Sequence, residues 1–212
     1  MKPGAVIFLI FAWHGSASAD MTGVAFEISD MDSDWKFADG TRAAKTNSLS
    51  LQIEESTASG LTVGGGIGYL TMRVGGDSTT PSTKFEAEYL QVYLRQDFRL
   101  GESTAIEGLL SYGYHTGREN TETDRAEIEW SQVALEIGLS FQVNNLRITP
   151  FVGYANVDGD ISGTEGSGAF ELEDPFNQGV RFDVFVETTA FIRIQLQTGS
   201  QSGGYLSFVR RY

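Results

Sequence analysis

The chain has 212 residues, no cysteine, 25 glycines, 4 prolines and a formal charge of −13. The absence of cysteine rules out disulfides and thiolate metal centres, and so acidic a chain has no electrostatic footing on nucleic acid. Its length fits one domain or a small pair, and its plentiful glycine and aromatic residues with little proline suit long strands.

The start, Met1-Lys2-Pro3-Gly4, is basic and is followed by an apolar run from Ala5 to Trp13 and by small residues ending Ala17-Ser18-Ala19. This is the pattern of a secretory signal peptide, with cleavage predicted after Ala19 and residues 20–212 as the exported domain. The apolar run is too short to cross a bilayer as a helix. From there on the dominant period is two, the period of strands. Ten strands are predicted, over 23–29, 47–55, 61–74, 85–100, 104–115, 128–143, 146–155, 180–187, 190–197 and 203–212. The clearest is 128–143, where Val133, Leu135, Ile137, Leu139, Phe141 and Val143 share one face and Gln132, Ala134, Glu136, Gly138, Ser140 and Gln142 the other. In 61–74 the second face is a glycine row, Gly64, Gly66 and Gly68, which could leave room beside it. The connections alternate. Those at 56–60, 101–103, 144–145 and 188–189 are short, as is the last link at 199–202, whereas 30–46, 75–84, 116–127 and 156–179 read as long loops.

The last strand has Leu206, Phe208 and Tyr212 on one side and ends on an aromatic ring. Together with the alternating strands and loops and the signal peptide, it resembles small bacterial outer-membrane β-barrel proteins of the OmpA-transmembrane, OmpX and OmpW kind. The resemblance covers the whole exported chain. It implies an all-β, transmembrane, antiparallel up-and-down barrel of ten strands, with eight as the alternative. Short turns would lie on the periplasmic side, long loops outside, and both termini in the periplasm, which requires an even strand number. Leu206, Phe208 and Tyr212 would be the signal read by the barrel assembly machinery. The other implied partners are outer-membrane lipid and lipopolysaccharide, with an extracellular ligand unidentified. On this reading the apolar faces meet lipid and the polar faces fill the lumen. Arg210 then falls on the lipid side, tolerable close to the interface, where the cost of an arginine falls towards zero.

The inward faces carry acids and arginines in balance: Glu27, Glu54, Asp97, Glu107, Glu136, Asp183 and Glu187 against Arg95, Arg99, Arg147, Arg181, Arg193 and Arg211. Arginine suits bidentate, partly buried carboxylate pairing, so a closed, self-neutralising lumen network is expected. His115 is the one histidine of the exported chain and the one catalytic candidate. Paired with an acid such as Asp124 it could activate water, as in the longer ten-stranded omptin surface proteases. Asp158-Gly159-Asp160-Ile161-Ser162-Gly163 begins like a calcium loop, with Asp158, Asp160 and Ser162 as ligands, but Ala169 stands where the closing acid belongs and Glu171 two residues on. Calcium at these loops is therefore the one cofactor the sequence suggests, and none is required. Acidic loops could also meet lipopolysaccharide phosphates through divalent ions. The function expected is a structural or adhesin-like scaffold presenting acidic extracellular loops. The alternatives are a narrow pore for small solutes or ions and an omptin-like hydrolase.

Overall fold

The computed structural model describes residues 21–75, 83–119, 126–163 and 166–212. The predicted signal peptide, Asp20 and Asp124 lie outside the described residues. Eleven strands form one sheet: β1 (Met21–Phe37), β2 (Gly40–Ser56), β3 (Leu61–Val74), β4 (Thr83–Arg99), β5 (Thr104–Glu119), β6 (Glu127–Val143), β7 (Leu146–Gly163), β8 (Gly166–Leu172), β9 (Phe176–Glu187), β10 (Ala190–Gly199) and β11 (Gln201–Arg211). Every pairing is antiparallel, and the sheet closes where β11 returns to β1, with Phe26 opposite Phe208. Reciprocal backbone bonds between Thr22 and Tyr212, 3.1 and 2.8 Å, finish the seam. Closure leaves no edge strand to be managed.

β8 and β9 both run antiparallel to β7 and are successive pieces of one rail, interrupted at 173–175. Around the end that carries the termini the wall therefore has the ten expected strands. The β10–β11 hairpin turns early, at Ser200. Beyond it, Trp35–Phe37 of β1 pairs directly with Phe170–Leu172 of β8. The far end is thus closed by eight strands, β1 to β8.

Three predicted long loops are largely strand. The 30–46 segment is the paired top of β1 and β2, joined by the two residues Ala38 and Asp39. β5 and β6 continue to Glu119 and from Glu127, and 156–179 contains the end of β7, all of β8 and the start of β9. Their physical signature is an inversion of the alternation. Nearer the termini the outward residues are apolar and strongly exposed, Leu51 50%, Ile67 65%, Ile137 53% and Val152 62%. At the far end the outward positions are Asp30, Asp32 and Asp34, Glu86 and Glu88, Glu127 and Glu129, Asp158 and Asp160. The inward positions there are Trp35, Leu70, Met72, Val74, Phe85, Ile128, Trp130, Val157, Phe170 and Leu172, all buried in one cluster. Each such side chain contributes about 1.5–3 kcal/mol on leaving water, and eight strands make a bore that side chains can fill. The far end is a water-surrounded barrel with an apolar core, standing on a barrel whose outside is apolar.

Turn chemistry follows local sequence. Asn144, at φ 54°, makes the two-residue link between β6 and β7, where asparagine tolerates the left-handed region that such hairpins require. Pro150 has no N–H to offer, and the β6–β7 ladder is interrupted beside it, between Gly138 opposite Phe151 and Phe141 opposite Ile148.

Candidate functional site

The site is the lumen, and the period of two delivers its residues. Inward positions of the ten-stranded part bring carboxylates and guanidinia from seven strands together. Arg181 of β9 lies at the centre. Its Nε donates to Gln195 Oε1 at 2.7 Å, one terminal nitrogen donates to Glu107, and the other donates to Glu136 Oε2 at 2.6 Å. Arg193 grips Asp183 with two bonds, 2.7 and 3.0 Å. Glu54 accepts from Arg95 at 3.0 Å, from the Tyr93 hydroxyl at 3.0 Å and from Arg211 at 3.0 and 3.1 Å. Arg181, Glu107, Glu54, Arg95 and Asp183 are buried, so each charge depends on its partners for the stabilisation that water would otherwise supply.

The rest of the expected network is looser. Arg147 stands 3.9 Å from Asp97, both near one-third exposed. Glu27 has no guanidinium at ion-pair distance among the described residues. Its neighbours across the ladders are Ser50 and Ser207, and the Ser207 hydroxyl donates to it at 2.6 Å. Arg99 and Glu187 sit at the rim and are exposed. Below the network, Phe185 and Phe191 pack with Ala25 and Val209, and the guanidinia of Arg147, Arg193 and Arg211 lie 5.1–5.6 Å from their ring centroids.

The glycine row leaves no opening. Tyr93 lies over Gly64 and Tyr89 over Gly68, so close that a Cβ would stand 2.2 and 2.3 Å from their rings. These glycines are required because the tyrosine rings lie flat against the wall there, over their own ladder partners.

His115 is sandwiched between Trp130, ring centroids 4.3 Å apart and nearly parallel, and Tyr89 at 5.2 Å. Its Nδ1 is buried without a hydrogen-bond partner, and among the described residues no carboxylate bonds to it. The ring closes the underside of the apolar cluster at the edge of the lumen space.

The predicted calcium loop is strand instead. Asp158, Asp160 and Ser162 alternate along β7 on its outer face, with Glu171 and Ala169 of β8 opposite the two acids. Same-face residues in an extended chain are about 6.6 Å apart, too far to wrap one ion, and no convergent group of three acids or histidines occurs among the described residues.

At the seam, Phe208 and Tyr212 are exposed on the apolar outer belt, as predicted. Arg210 shares that face and lays its guanidinium over the Tyr212 ring, 5.7 Å to the centroid. Sequence reasoning missed Gln195 and Ser207 as network members and the whole apolar upper cluster. Their signal was present in the inward alternation Leu70, Met72, Val74 and Ile128, Trp130.

The autotransporter β-domain family profile matches residues 33–183. No curated protein sequence matches the chain. Among solved structures, the translocator domain of the autotransporter NalP from Neisseria meningitidis is similar with a TM-score of 0.51 at 12% identity, over 98% of this chain and 92% of that one. The transport unit of the autotransporter AIDA-I from Escherichia coli gives 0.53 at 9%, over 95% and 92%. The outer membrane protease OmpT from Escherichia coli gives 0.51 at 8%, over 92% and 95%.

Proposed function

This chain belongs to the autotransporter β-domain family, an outer-membrane β-barrel of translocator type, and from that premise we propose that it works as a closed surface scaffold and not as a conduit. The observation that carries this reading is the apolar cluster across the extracellular end, in which Met72, Phe85 and Ile128 have no exposed surface. Below it the lumen is crossed a second time by the paired charges around Arg181 and Arg193. A solute or chain passing through would have to break both layers. The working surface is then the outside of the eight-stranded extension, whose Asp30, Asp32, Asp34, Glu129, Asp158 and Asp160 form an acidic collar above the lipid belt. An adhesin-like role, meeting cationic partners directly or lipopolysaccharide phosphates through divalent ions, suits that chemistry.

A narrow pore is the competing reading, favoured by the polar side chains that line the mid-lumen. Planar-bilayer recording of the folded barrel separates the two. Silence at moderate voltage is expected, and steady unitary conductance would overturn the closed reading and establish the pore.

A further inference from the structure

Through the mid-lumen, from Ala25 and Val209 beneath the paired charges up to the apolar cluster, runs a space of about 260 Å³, with the charged pairs in its wall. It is lined by neutral side chains that both donate and accept, among them Ser29, Ser48, Gln91, Gln132, Gln197 and Tyr89. Its upper wall is apolar, with Trp35 and Trp130. The strongest charges in its wall, on Arg181 and Arg193, are already matched by Glu107, Glu136 and Asp183, and the Ser207 hydroxyl donates to Glu27. Several of the amides bond to one another. Gln132 and Gln201 exchange bonds of 3.3 and 3.5 Å, and Gln195 donates to Gln197 at 3.1 Å.

From this we propose that the lumen is a binding site for one small, neutral, polyhydroxylated molecule of roughly monosaccharide size. The space falls just short of the range of about 300–1,000 Å³ typical of drug-sized ligands. A hydroxyl is both donor and acceptor, so a polyol can satisfy serine and amide groups together, while its C–H surface meets the apolar wall. A bare cation would leave the amide hydrogens unmatched, and the guanidinia of Arg181 and Arg193 that an anion would need are already taken by carboxylates.

The two tryptophans of the described barrel both line the space, so intrinsic emission reads its occupancy directly. Glucose and myo-inositol are titrated into the full chain folded in detergent, and are also present during refolding so that entry is not limiting. Glucose 6-phosphate serves as the charged control. The expected result is a saturable emission change with at least one neutral probe, not reproduced by the phosphate ester. Half-saturation should rise at least tenfold in Gln132→Leu and in Ser48→Phe. Heat-modifiable gel migration checks that both variants are folded, and Gln132→Leu alone decides if Ser48→Phe does not fold. The proposal is overturned if neither neutral probe gives a saturable change. It is equally overturned if glucose 6-phosphate acts like glucose, or if the folded variants titrate like the parent.

Discussion

Arg181 shows what a buried guanidinium does in a lumen of ten strands. It is 3% exposed and holds two carboxylates from β5 and β6 and an amide from β10, so it ties three regions of the wall together through the middle. Arg181→Met would leave Glu107 and Glu136 charged and unmatched. The expected loss is about 3–5 kcal/mol, read from denaturant unfolding of the barrel in detergent. Adding Glu107→Gln and Glu136→Gln removes the orphaned charges and should recover most of it. If the single variant unfolds with the parent, the network is not holding the wall. The residues of this network were legible in the sequence because period two fixes which side chains face inward. Their partners were not, because pairing depends on register and on tilt across strands far apart in the chain. Glu27 was placed among arginines by its face alone, yet its ladder neighbours on β2 and β11 are both serines. His115 looked chemical because it is a lone titratable side chain on a polar face. Its height along the strand sets it among aromatics instead.

At the scale of the element, each long strand is two strands of opposite polarity joined end to end. β4 reads Lys84, Glu86, Glu88 and then Leu90, Val92, Leu94 along its outer face, and Phe85, Ala87 and then Gln91, Arg95 along its inner face. Hydrophobic alternation sought with a fixed phase ends where the polarity inverts, which is why the upper strands read as loops. The ten lower strands, their order and the four tight turns between them were all legible. The inversion marks the upper boundary of the lipid belt, and charge substitution should measure it. Leu135→Arg, on the apolar outer face of β6, is expected to cost about 2–4 kcal/mol. Asp158→Arg, higher on the adjacent β7, should stay within about 0.5 kcal/mol of the parent. Equal costs in unfolding from lipid vesicles would place the boundary elsewhere.

For the whole molecule the decisive event is closure of β1 on β11. Tyr212 contributes little packing there, being 72% exposed. We propose that its ring, with Leu206 and Phe208, serves recognition by the assembly machinery more than it serves stability. Tyr212→Ala should then lower the amount of folded barrel in outer-membrane fractions several-fold, while shifting the unfolding free energy of barrel refolded in vitro by under about 1 kcal/mol. A large loss in both measurements would assign the ring to stability instead. Closure at the opposite end has a different consequence. Where β8 meets β1, Lys36 and Glu171 bond at 3.1 Å although 135 positions separate them in the chain, and the β1–β2 crown is a two-residue turn. The relief at this end of the barrel is therefore a mosaic of distant segments fixed by sheet pairing. To an antibody the collar exists only in the assembled barrel, and linear peptides copied from it would present a different object.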